Sequence, residues 1–189
     1  MRQRRSARGP PSAHAPRQPP HSRGGYLARM AQPSPYRTLP PARRAALVQH
    51  AITRGGRAAR AFWAARLVAR GGGFRQVTVQ GWPADRLARE VVRLNAETPQ
   101  DELDLLHLHY VELEPAVQIT FLDAAGVPHA NGVMAEELAP PYADADAVRR
   151  AAAAVRAEHG EEGERYLRTL ARYSRDGWPG VEAAAAGQS

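Results

Sequence analysis

Apolar and polar positions alternate most regularly between Leu105 and Val133. In an extended chain Val117, Ile119 and Phe121 point one way and Gln118 and Thr120 the other, the period-two pattern of a half-buried strand. Asp123 to Gly126 reads as a turn, with Gly126 able to take the positive φ that a short hairpin loop needs. Val127 to Val133 then returns as the partner strand. Phe74 to Gly81 also alternates. Over 103–113 two periods compete. Leu103, Leu106, Tyr110 and Leu113 fit a helix, whereas Leu106, Leu108 and Tyr110 alternating with His107 and His109 fit a strand. The reading adopted is a helix to about Leu106 followed by a strand.

Helical spacing dominates elsewhere. Residues 42–54 follow Pro40-Pro41 and end at Gly55-Gly56, and residues 57–70 end at Gly71-Gly72-Gly73. Pro83 and Asp85 open a helix whose buried stripe is Leu87, Val91 and Leu94. Thr98 is a good N-cap for the next. After Pro140-Pro141, residues 144–159 place Val148, Ala151, Ala152 and Val155 on one face. Gly160 breaks that helix, and 161–175 resumes with Tyr166, Leu167, Leu170 and Tyr173 inward. Trp178 is expected to fold back onto the domain.

These elements predict an α+β fold, with a small antiparallel sheet (74–81, 107–113, 117–122 and 127–134) packed against helices from both ends of the chain. One domain is expected over 36–178, a length sufficient for a single core. Residues 1–35 are rich in Arg, Pro, Gly and Ser and poor in large apolar side chains, so they are expected to be disordered and to add nothing to the fold. Met30 is an alternative start. Residues 179–189 are expected to form a second disordered tail.

Composition narrows the chemistry. The chain has no cysteine, and its 26 basic side chains are all arginine. Alanine and arginine without lysine fit a high-GC genome. A Schiff-base lysine, a P-loop lysine, a thiol nucleophile and cysteine metal ligands are all excluded. Serine lies mainly in the terminal segments. No apolar run reaches the ~20 residues of a membrane-spanning helix, and a cytoplasmic location without membrane association is the default expectation. No cofactor is expected.

Charge is strongly segregated. The formal +7 of the chain equals the contribution of residues 1–30, which hold seven arginines and no acid. Residues 37–93 carry twelve arginines against Asp85 and Glu90, whereas 94–146 carry eleven carboxylates and no arginine. Such blocks suit electrostatic steering of a partner better than they suit stability, because an exposed ion pair is worth only ~0–1 kcal/mol. The expectation is therefore a non-enzymatic interaction or accessory domain that uses basic (37–93) and acidic (94–146) surfaces to bind another protein or itself. Arg57, Arg60, Arg66, Arg86, Arg89 and Arg93 form its candidate basic face. Arginine interleaved with Phe62, Trp63, Phe74 and Trp82 also suits nucleic-acid binding over 43–93. A metal-dependent enzyme is the third reading. On a strand His107 and His109 would share a face and Glu114 or His129 would complete three ligands.

Overall fold

The computed structural model describes residues 33–71 and 73–187. The tail expected over 1–35 falls mostly outside that range. Ser34 and Pro35, which it would include, are buried at the start of a 3-10 turn, Pro35–Thr38. The fold is mostly helical with a small two-strand antiparallel sheet.

Among the described residues seven α-helices follow the turn. The first is α1 (Pro41–Ala69), then α2 (Gln76–Gln80), α3 (Ala84–Arg93), α4 (Pro99–Leu108) and α5 (Pro115–Ala125). After the hairpin come α6 (Ala145–Tyr173) and α7 (Val181–Ala185). A π-turn, His109–Leu113, links α4 to α5. The two long helices are kinked where glycine interrupts the pattern, at Gly56 (φ 58°, ψ −135°) and Gly160 (φ 51°, ψ −121°). Side chains with a Cβ avoid both conformations, so the breaks are written into the sequence.

The core has two sides. On one, Leu47, Val48, Ile52, Ala64 and Leu67 of α1 meet Leu87, Ala88 and Val91 of α3. On the other, Val148, Ala151, Ala152, Val155 and Leu167 of α6 pack on Phe121 and Leu122 of α5 and on Val181 and Ala184 of α7. Thr98 starts α4 with a capping box, its hydroxyl accepting from the Asp101 N–H while the Asp101 carboxylate accepts from the Thr98 N–H. Trp178 is buried, with its ring edge-on to Phe121. Residues 179–187, expected as a tail, instead include α7, held because Val181 and Ala184 are apolar enough to close the α6 surface.

Most of the expected sheet is helix. Residues 117–122 lie in α5, where Val117, Phe121, Leu122 and Ala125 are the buried stripe. The bounding residues decide the matter, since Pro115 occupies the first turn and Gly126 closes the helix as a left-handed C-cap rather than a hairpin turn. Residues 107–113 continue α4 into the π-turn, because the strong cap at Thr98 starts a helix and nothing ends it before Glu114. Within 74–81, Gln76–Gln80 is a helical turn that buries Val79 and leaves Val77 84% exposed, whereas a half-buried strand would inset both. Val77→Gln is therefore expected to leave the melting temperature unchanged, which a thermal scan checks. Of 127–134 only His129–Ala130 and Val133–Met134 pair, with His129 opposite Met134. Their turn is Asn131-Gly132, both at positive φ, the usual chemistry of a two-residue hairpin.

Candidate functional site

The charged blocks meet each other in part, through Arg37, Arg43, Arg54 and Arg66. The π-turn and α4 lie against α1, so the acids of 97–114 face the arginines of 37–66. Arg66 clamps Asp101 through Nε (3.0 Å) and Nη2 (3.1 Å) and lies over the Phe62 ring. Arg37 reaches Glu102 (Nε to Oε1, 2.5 Å) and Glu97 (Nη1 to Oε2, 3.5 Å). Arg43 pairs with Glu114, while Arg54 and His50 both meet Glu112. Glu97, Asp101 and Glu102 are buried, and a buried carboxylate is tolerated only when paired and hydrogen-bonded. Tyr36 donates to Glu97 at 2.8 Å. Burial first, and the Glu97 charge second, push its phenol well above the ordinary value. In this stretch the basic and acidic side chains face each other.

The six candidate arginines divide accordingly. Arg66 is an internal ion-pair partner, and Arg60 donates through Nη1 to the Trp82 carbonyl. Arg57 is exposed beside the Gly56 kink, with no charged partner among the described residues. Arg86, Arg89 and Arg93 line the outer side of α3. Arg86 lies 4.1 Å over the Trp82 ring, Arg89 pairs with Asp85 one turn back (2.8 Å), and Arg93 chelates one oxygen of Glu90. These helix-surface pairs are worth only ~0.3–0.5 kcal/mol each and leave the guanidinium groups accessible.

Arg89 and Arg93 also line an open groove of about 450 Å³ between α3 and the first turn of α1. Arg44 and Asn95 supply its other polar groups, and no carboxylate is among the lining residues. The start of α1 adds to the positive potential. It has no side-chain cap and no acid in its first turn, so its free N–H groups and the positive end of the helix dipole are not neutralised. Nε and Nη1 of Arg44 are buried without an acceptor, beside the Tyr36 ring.

Compared with protein-family models, with curated proteins and with solved structures, the chain matches none.

The histidines do not assemble as a metal site. On a helical backbone His107 and His109 diverge, His107 exposed and His109 1% exposed. Glu114 is drawn to Arg43, away from both. Among the described residues no group of three or more potential ligands is close enough to share an ion. His109 instead donates through Nε2 to Glu162 (2.9 Å), and Tyr110, the next residue, donates to the same oxygen (3.2 Å). Arg165 holds the other oxygen at 2.5 Å. Burial works against ionisation of Glu162, but the His109 hydrogen bond and the Arg165 guanidinium outweigh it and hold the pKa down at about 2. A carboxylate so firmly ionised at neutral pH is a structural anchor, poorly matched to proton transfer near pH 7.

Glu162 was not visible in the sequence as anything but one of three acids at 161–164. Nothing local separates it from Glu161 and Glu164 until the kink at Gly160 decides which face turns inward. The wall residues of a second cavity, Tyr110, Tyr166, Tyr173 and Trp178, were legible only as core.

Proposed function

We propose that the protein is a non-catalytic interaction domain that docks an acidic protein segment onto α3 and the adjoining groove, with Arg44, Arg86, Arg89 and Arg93 as the contact residues. One observation carries this reading. Five carboxylates of the acidic block, Glu97, Asp101, Glu102, Glu112 and Glu114, are paired with the inner arginines, whereas the groove between α3 and the start of α1 has no carboxylate lining it. A chain of carboxylates laid along that groove could exchange the weak pairs with Asp85 and Glu90 for contacts to Arg89 and Arg93. Arg57, Arg60 and Arg66 are given no primary role, the last two because their guanidinium groups are engaged within the domain.

The test is titration with an Asp/Glu-rich peptide. Binding should be saturable and should weaken about tenfold or more on raising salt to about 0.5 M, where the Debye length falls well below ~8 Å. Charge reversal at Arg86, Arg89 and Arg93 together should abolish it with the helical circular dichroism unchanged. Arg66→Ala should do the opposite, leaving binding intact while costing about 1–3 kcal/mol of stability by stripping the buried Asp101 of its cation. Preference for a DNA or RNA duplex over the peptide would move the assignment to nucleic acid. Concentration-dependent self-association lost in the triple variant would make a second copy the partner. Equal binding by the triple variant would overturn the assignment.

A further inference from the structure

All but two of the eleven carboxylates in 94–146 have a partner within the chain. Five meet the inner arginines. Asp104 accepts from Gln100, Asp123 from His129, and Asp146 pairs with Arg149. Asp144 caps α6 through the Ala147 N–H. The two that remain are Glu136 and Glu137, both exposed and with neither ion pair nor side-chain hydrogen bond among the described residues. They are the central pair of a turn closed by the Leu138 N–H on the Ala135 carbonyl (3.2 Å). Met134 before the turn and Leu138 at its end pack against the core. Anchored on both sides, the turn presents its two carboxylates in a set conformation, so little order is lost when a partner arrives. Val133, 55% exposed on the strand that leads in, adds an apolar edge.

The groove between α3 and the start of α1 is complementary to this turn. Arg44, Arg89 and Arg93 line it, no carboxylate does, and Pro41, Ala42 and Ala45 supply an apolar wall. Arg44 is in no ion pair among the described residues. Arg89 and Arg93 hold Asp85 and Glu90 only as exposed pairs on the helix surface, which incoming carboxylates can replace at small cost. Neither Glu136 nor Glu137 pairs with these arginines within its own molecule. The chain therefore carries an unanswered acidic turn and an accessible basic groove in equal number.

Resting on the reading of the groove as a dock for acidic segments, we infer that its occupant is the Glu136-Glu137 turn of a second copy, with the carboxylates on Arg89 and Arg93 and Val133 toward Pro41 and Ala42. The two surfaces differ, so the contact is head-to-tail, and each added copy leaves one groove and one turn open. One turn on an open groove buries little area, which places the association among weak, reversible contacts rather than obligate dimers.

Sedimentation velocity of the full chain, from about 10 µM to about 500 µM, is the test. At low salt the weight-average mass should rise with concentration above that of one chain, and in about 0.5 M salt it should return to that value. Glu136→Gln with Glu137→Gln, and separately Arg89→Gln with Arg93→Gln, should each weaken the association about tenfold or more with the circular dichroism unchanged. Mixed together, the two variants should form a one-to-one dimer that grows no further, because one keeps only its groove and the other only its turn. Association that survives in either variant places the contact on another surface and overturns the inference. So does a chain that stays monomeric throughout, and titration with the Asp/Glu-rich peptide then separates the two readings. Peptide binding by a monomeric chain removes the second copy and leaves the groove as a dock for another protein, whereas no peptide binding removes both. If the inference holds, the glutamate variant, whose groove is vacated, should bind the peptide at least as tightly as the wild type.

Discussion

Replacing Glu162 by leucine is expected to destabilise the protein by about 3 kcal/mol, the low end for removing one member of a charged cluster that is largely shielded from water. The carboxylate is the shared acceptor of His109 Nε2, Tyr110 Oη and Arg165 Nη1, with Arg43 Nη1 at 3.8 Å. Leucine fits the space but accepts nothing. The loss falls hardest on His109, which is 1% exposed and whose Nδ1 already lacks a hydrogen bond among the described groups. Without Glu162 both ring nitrogens would be buried and unsatisfied, at ~1–3 kcal/mol each. Glutamine keeps an acceptor oxygen and gives up only the charge, so Glu162→Gln should cost less, about 2 kcal/mol. Urea unfolding at pH 7 separates the two.

The same residue sets an acid limit. Its pKa is about 2 in the folded state and 4.5 in the reference state. A carboxylate whose folded pKa is depressed contributes stability that is fully present above the unfolded value and is lost as pH falls toward the folded one. Between pH 6 and pH 3 the native protein should therefore lose about 2 kcal/mol that the Glu162→Gln protein does not lose. Parallel acid titration curves for the two proteins would show that Glu162 is not the group responsible.

How far the sequence revealed this arrangement depended on what bounded each segment. Glycine within an alanine-rich helical pattern was decisive, and the kinks at Gly56 and Gly160 fall where the periodicity breaks. The stripes of α3 and α6 were legible because small and branched residues recur at helical spacing with arginine opposite. The segment Val117–Leu122 was not, because its six residues satisfy period two and also place Val117 and Phe121 four apart. Propensity for strand is weak against tertiary packing, and Pro115 and Gly126 outside the run carried the information. The hairpin signal is Asn131-Gly132, five residues beyond Gly126. For the site, the exposure of Arg86, Arg89 and Arg93 followed from the helical face they share. The internal use of Arg60 and Arg66 did not, because α1 is apolar on more than one side and its sequence leaves open which arginines turn inward.

Gly163→Ala is expected to be the other severe substitution, and its cause is steric. The kink at Gly160 folds the second half of α6 back so closely that Gly163 rests against the first half. A Cβ there would lie 2.5 Å from the Val155 carbonyl oxygen and 2.7 Å from Val155 Cγ1. One of those neighbours is backbone, which cannot swing aside, so the two half-helices would have to separate. The separation would loosen the buried contacts of Val155 and Leu167 and stretch the Arg156–Glu164 ion pair (2.5 Å), which bridges the same corner. Overpacking that moves backbone costs about 1–3 kcal/mol or more. For a chain of this length ~3 kcal/mol corresponds to a fall of ~6–12 °C in melting temperature. Gly160→Ala supplies the comparison. Nothing lies within 4 Å of a Cβ there, so its cost, ~1–3 kcal/mol, comes from the backbone conformation alone. Trimming Val155 to alanine distinguishes the mechanisms. In that background the penalty of Gly163→Ala should shrink only partly, because the carbonyl contact remains, while the penalty of Gly160→Ala should not change. A Gly163→Ala protein that melts with the wild type would mean that the two halves of α6 are not in contact at this corner.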